Sequence, residues 1–165
     1  MSVAMSSRLT VVLLALMLGI QPVSSDLYLP TLPILTQEFG ASMAQAHMTL
    51  SALLLAFGIS QLFWGPLSDM WGRRPVLLLG LIAYVLAGIG CVVAPSMDAL
   101  IVWRTLQGAA MGSVVVCARA IVRDLYTPDI GARVMSKALT GLGAIACMSA
   151  PLGAFMTQTY SWHAA

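Results

Sequence analysis

The sequence predicts an all-α integral membrane protein built as a bundle of five transmembrane helices, and three observations carry that expectation. Of its 165 residues, 59% are apolar and 8% are charged, against about 25% charged in an average soluble domain. The mean hydropathy is +0.91, and 8 Lys+Arg with 6 Asp+Glu cannot coat a water-soluble globule. The charges also fall in short clusters between apolar stretches, and a helix of about 20 such residues crosses the hydrocarbon core of a bilayer. A net charge of +2 without a basic stripe argues against a nucleic-acid partner. Cys91, Cys117 and Cys147 each lie inside an apolar stretch and fit neither a disulfide framework nor a metal spacing, so they read as packing residues.

An ionised side chain near the bilayer centre costs about 2.5 to 3.5 kcal/mol, so the charge-poor runs mark the spans. They fall near residues 9–29, 45–67, 75–94, 99–122 and 134–158. The first follows Arg8, contains Asp26 and stops near Pro30 and Pro33, because a residue before proline is pushed out of the helical region. The second ends in a hairpin rich in glycine and charge, from which the third departs at Pro75. A short loop at 95–98 leads to the fourth, which carries Arg104. The fifth begins after the basic residues Arg123 and Arg133. The loops at 30–44 and 95–98 and the tail from Thr159 contain no Lys or Arg. Arg8, Arg73, Arg74, Arg119, Arg123, Arg133 and Lys137 all fall on the other side, so the positive-inside rule places the N-terminus in the cytoplasm. Trp162 and His163 then reach the outer interface. Arg8, the apolar run 9–20 and Val23-Ser24-Ser25 also have the layout of a signal peptide, a reading that four further spans weigh against.

Several strings bear on function. In the hairpin Gly65-Pro-Leu67-Ser-Asp69-Met-Trp-Gly72-Arg73-Arg74, Gly65 and Gly72 are expected to shape a tight turn. Asp69 and Arg73, four apart, are placed to pair, leaving Arg74 for lipid phosphates; a plain positive-inside hairpin would look similar. In the fourth span Arg104, Gln107 and Met111 share one helical face by their spacing. An intramembrane arginine is a functional candidate, with snorkelling to a headgroup as the bland alternative. Gly108 and Gly112 form a small-residue pair that lets helices approach, here within one chain. Asp26, in Ser25-Asp26-Leu-Tyr28-Leu-Pro30-Thr-Leu-Pro33, is either an acid at a helix end or an acid in a partly dry site, the type a proton carrier requires. In the fifth span Pro151, with Gly143 and Gly153 nearby, is expected to kink the helix by freeing the Cys147 carbonyl. No grouping of Ser, His, Cys and acid suited to catalysis is legible, so an enzyme is not expected.

The hairpin resembles the signature loop G-x-L-a-D-[RK]-x-G-[RK]-[RK] of the major facilitator superfamily, with Met70 in place of the usual basic residue. Leu100 to Gly112 is similar to a second superfamily motif, with Ala110 replacing a glycine, and the Pro151 region is loosely similar to an antiporter motif in which Ala150 and Ala154 replace glycines. The Asp26 string resembles the first span of the Bcr/CflA drug exporters. The resemblance implies five helices of an incomplete six-helix N-terminal half in a bacterial inner membrane. It implies a drug:proton antiporter that moves small hydrophobic or cationic compounds by alternating access, driven by the proton gradient without a cofactor or metal. Its partners would be the drug-like substrate, protons, the lipid bilayer and a missing C-terminal half. Asp26, Arg104 and Gln107 would serve proton coupling and the substrate cavity. Gly65, Asp69, Gly72, Arg73 and Arg74 would form a conformational latch, and Gly143, Pro151 and Gly153 the kink. A truncated, non-transporting fragment and a half-transporter that dimerises are the alternatives.

Overall fold

The computed structural model of the chain describes residues 7–159; the expectations for Tyr160, Trp162 and His163 and for the side chain of Arg8 lie outside the described residues. Helix α1 (Ser7–Asp26) is followed by a 3₁₀ turn (Leu29–Thr31) and a short α2 (Leu32–Glu38). Then come α3 (Met43–Trp71), α4 (Arg73–Val92), α5 (Met97–Leu125) and α6 (Pro128–Thr159). Among the described residues, five helical stretches are long and apolar enough to cross a membrane, the first running through α1, the turn and α2. At 1.5 Å per residue, α3 and α5 each reach about 43 Å, the thickness of a bilayer with its headgroups.

Several boundaries differ from expectation, two of them with consequences for the site. The first span does not run unbroken to residue 29: α1 stops at Asp26, and Pro30 and Pro33 instead open the 3₁₀ turn and α2. Both are placed in a first turn, where the missing N–H costs nothing, so the prolines start helices inside the segment expected to be a loop. Gly40, at φ +57, closes α2, and Ala41 N–H returns to the Thr36 carbonyl, a glycine-terminated helix end. Likewise the second span continues through Pro66 to Trp71, so Gly65 lies in a helix and does not shape the turn. Gly72 alone forms the α3–α4 joint, at φ 90 and ψ 158. Start signals are plain elsewhere: Ser42 and Gln45 form a reciprocal capping box on α3, and Ser96 Oγ accepts from Ala99 N–H on α5.

Helix α5 is the centre of the bundle, with 67% of its apolar stretch buried inside the protein against 11% for α3 and for α6. It packs along α3 and α4, while α1 packs along α6. Close approach explains the glycines in these contacts. A Cβ on Gly108 would collide with the Leu53 carbonyl oxygen of α3, and one on Gly153 with the Leu27 carbonyl oxygen. The Gly108/Gly112 pair therefore serves packing within the chain. Two apolar clusters fill the ends of the bundle, one around Tyr28, Leu35 and Leu100, the other around Leu14, Val115 and Ala138. The outer faces stay apolar: Leu62 and Phe63 expose 74% and 69% of their surface, as lipid solvent allows. Cys91 and Cys117 are buried as expected, but Cys147 is exposed on α6.

Candidate functional site

Arg104 lies seven residues into α5, about 10 Å along the axis from its first residue, on the face that α5 turns towards α1. It is 7% exposed, so it does not snorkel. Its Nη1 donates to the Ser24 carbonyl oxygen at 3.3 Å and to Gln107 Oε1 at 3.1 Å. Gln107, three residues on, is likewise 7% exposed, and Met111 is fully buried on the same face. The Tyr28 ring covers the guanidinium, its centroid 3.7 Å from Cζ, a cation–π contact. Arg104 Nε has no hydrogen-bond partner.

The break after Asp26 makes this arrangement possible. At a helix C-terminus the last carbonyls lack intrahelical partners and carry the negative end of the dipole. Ser24 lies in that last turn, so a cation from α5 caps α1. Ser24 Oγ also bonds the Tyr84 hydroxyl of α4 at 2.7 Å, and the Tyr28 hydroxyl reaches Thr49 Oγ1 of α3 at 3.1 Å. Four spans therefore meet around one polar knot within an apolar bundle. Asp26, two residues after Ser24 in the chain, is half-buried, and its Oδ1 accepts from Ser25 Oγ at 2.8 Å. It forms no ion pair with Arg104 within 4.0 Å. The structure thus brings Arg104 and Gln107 together, while Asp26 bonds Ser25 instead.

The second polar cluster lies at the opposite end. Arg73 Nη1 donates to Asp69, the pairing expected from their spacing, and to Ser68 Oγ at 2.7 Å. Its Nε donates to Asp124 Oδ2 at 2.9 Å, which joins α4 to the end of α5. Asp69, Arg73, Arg119 and Arg123 border a cavity of about 360 Å³ that Gly65 also lines. Arg74 is exposed. On α6, Pro151 lies within a helix that continues to Thr159; Gly153 meets the backbone of Leu27 just beyond α1, whereas a Cβ on Gly143 would touch nothing within 4 Å.

Three participants escape a reading of the sequence. Asp124 sits 51 residues from Arg73, and only its position in the last helical turn hints at a partner. Ser24 acts through its carbonyl, which side-chain patterns do not report. Tyr28 is apolar by period and polar by contact. No cluster of three or more His, Cys, Asp or Glu suited to a metal occurs among the described residues.

Comparison with known proteins follows the same lines. The family model described as Major Facilitator Superfamily matches residues 14–165. The chain is 36% identical to the MFS-type transporter YdgK of Bacillus subtilis over 92% of its own length and 38% of that protein's. It is 37% identical to the multidrug resistance protein MdtL of Klebsiella pneumoniae over 86% of its own length and 36% of that protein's. It is 30% identical to a bicyclomycin resistance protein homolog of Haemophilus influenzae, covering 96% of this chain and 40% of the relative. The chain therefore spans well under half of the relatives it matches.

Proposed function

The chain belongs to the Major Facilitator Superfamily, and from that premise we propose that it contributes the proton-coupling part of an exporter of small hydrophobic or cationic compounds. Relatives carrying the names multidrug resistance and bicyclomycin resistance protein support drug-like cargo and a transport rather than a catalytic role. The observation that carries the reading is the buried Arg104, held by Ser24, Gln107 and Tyr28; Ser24 and Tyr28 belong to a segment that also carries Asp26. A charge so placed inside an apolar bundle marks a substrate or ion pathway.

In this scheme Asp26 takes up a proton from outside and releases it on the inner side as the bundle changes its exposure. Arg104 sets the local potential, so the carboxyl responds to the arrival of a cationic or hydrogen-bonding substrate, and Gln107 offers its amide to that substrate. Alternating access rocks one set of helices against another around a fixed midplane site, so the complete cycle belongs to the longer protein that the relatives exemplify. The Asp69–Arg73–Asp124 cluster, on the basic and by the positive-inside rule cytoplasmic end, serves as a latch for that rocking in a bacterial inner membrane.

The test is Asp26→Asn in the transporter that carries these residues. Proton-driven efflux of a fluorescent cation from energised cells is expected to fall at least about tenfold, while the amount of inserted protein stays unchanged, because a neutral amide removes the carrier without altering shape. Unaltered efflux would remove Asp26 from the mechanism.

A further inference from the structure

At the basic end of the bundle two arginines stand outside the Arg73 cluster. Asp69 and Asp124 are both engaged by Arg73, and neither Arg119 nor Arg123 pairs with an acid within 4.0 Å among the described residues. They lie four apart on α5, so they share one helical face, where two like charges repel. Both are exposed. The negative end of the α5 dipole favours a cation in the last turn, where Arg123 lies, but Arg119 stands a full turn further in. Its charge calls for another partner.

Two cavities meet at this pair. One, of about 360 Å³, lies between the ends of α3 and α5 and is bordered by Ser68, Asp69 and Arg73. The other, of about 400 Å³, lies between the end of α5 and the start of α6, with a largely apolar lining that includes Val122, Tyr126, Ala132 and Met135. Arg119 and Arg123 are the residues common to both linings. A polar cavity and an apolar one thus share a cationic wall. Depth fits the same picture: Arg119 lies about 9 Å along the axis from the end of α5 at Leu125, and a headgroup layer is about 5 to 8 Å deep on each side of the bilayer. With α5 centred on the bilayer, Arg123 falls within the headgroup layer and Arg119 at its hydrocarbon edge, from which its long stem carries the guanidinium to the phosphates.

We propose that Arg119 and Arg123 bind the phosphate of an anionic phospholipid of the cytoplasmic leaflet, whose glycerol and upper acyl chain occupy the apolar cavity between α5 and α6. Guanidinium forks match phosphate oxygens in geometry as well as charge, and basic pockets between helices on the cytoplasmic side suit anionic headgroups. An acidic side chain from the remainder of a longer protein would neutralise the two arginines but leave the apolar cavity unfilled. Free phosphate fails on the same count. An amphiphile with an anionic head answers both cavities at once. The site is separate from the Arg104 knot, and the proposal does not depend on the role given to Asp26.

The test is native mass spectrometry of the full chain, and of the longer transporter that carries these residues, titrated in detergent with phosphatidylglycerol or with phosphatidylcholine of the same acyl chains. Phosphatidylglycerol is expected to fill one site at least about tenfold more tightly than phosphatidylcholine. Each basic side chain near the surface strengthens such binding about fivefold, so Arg119→Gln and Arg123→Gln should each weaken it by that factor. Arg133→Gln removes an exposed arginine of α6 that lines neither cavity, and should change the affinity by less than about twofold. All three side chains are exposed, and unchanged helix content by circular dichroism checks that each variant is folded. Equal losses from the three substitutions would reveal only diffuse attraction of a basic face, and would overturn the site. Inorganic phosphate at the same concentration should leave the lipid in place; displacement would make this a free-anion site and overturn the lipid reading. Binding to the 165-residue chain that vanishes in the longer transporter would assign the cavities to its remaining helices, and would overturn the proposal as well.

Discussion

At the residue scale, two glycines of one motif do different things. Gly72 sits at φ 90, ψ 158, a region open almost solely to glycine, and it carries the chain from α3 into α4 with no intervening loop. Gly65 is helical, and a Cβ there would meet nothing within 4 Å. Gly72→Ala should therefore cost about 1 to 3 kcal/mol of unfolding free energy. Gly65→Ala should be neutral or stabilising by up to about 1 kcal/mol, since alanine is the better helix former. Unfolding in detergent micelles, followed by circular dichroism against added denaturing detergent, separates the two; equal losses would show that Gly65 is held by a contact not present here. The motif string is legible in the sequence, but which glycine bears the turn is not, because backbone dihedrals are decided by where α3 ends. Asp69–Arg73 was readable from local spacing. Asp124 was not, because its proximity to Arg73 comes from the packing of α4 along α5.

At the scale of elements, the spans were legible because lipid imposes a minimum length and excludes charge. Their ends were less so: α3 runs on to Trp71 and α6 starts at Pro128, since amphipathic and charged turns extend beyond the apolar part. The break between α1 and α2 illustrates the limit. Two prolines mark a discontinuity, but the sequence does not say whether they end one helix or begin the next, and here they begin it. What could be read was the closeness implied by Gly108 and Gly112, which the structure assigns to the α3–α5 contact. Adding a Cβ at Gly108 forces the Leu53 backbone to move, not a flexible side chain. Overpacking of this kind costs about 1 to 3 kcal/mol. Gly108→Ala should accordingly destabilise the bundle by that amount, while Gly58→Ala on the open side of α3 should not. Equal stability of the two variants in the same micelle assay would mean that α3 and α5 are not in close contact in the membrane.

At the scale of the whole molecule, the arrangement of helices was the part the sequence hid. A lipid-facing surface is as apolar as a packed one, so hydrophobic periodicity does not distinguish Leu62, exposed on α3, from Leu53, buried on the same helix. Orientation has a different source. It rests on where the basic residues fall, and the structure gathers Arg73, Arg119 and Arg123 at one end of the bundle, with Arg104 approached from the other. The positive-inside rule assigns the first group to the cytoplasm. Two exposed positions report on this directly: Met70 at the α3–α4 joint and Pro95 between α4 and α5. In a chain whose native cysteines, two buried and one exposed, are replaced by alanine, a membrane-impermeant maleimide added to intact cells should label Pro95→Cys at least about tenfold more than Met70→Cys. That ratio follows because the bilayer, not local exposure, separates the two sites, and permeabilising the cells should bring Met70→Cys to the same level. Labelling of Met70→Cys in intact cells would invert the bundle, and would place the break between α1 and α2 on the inner face.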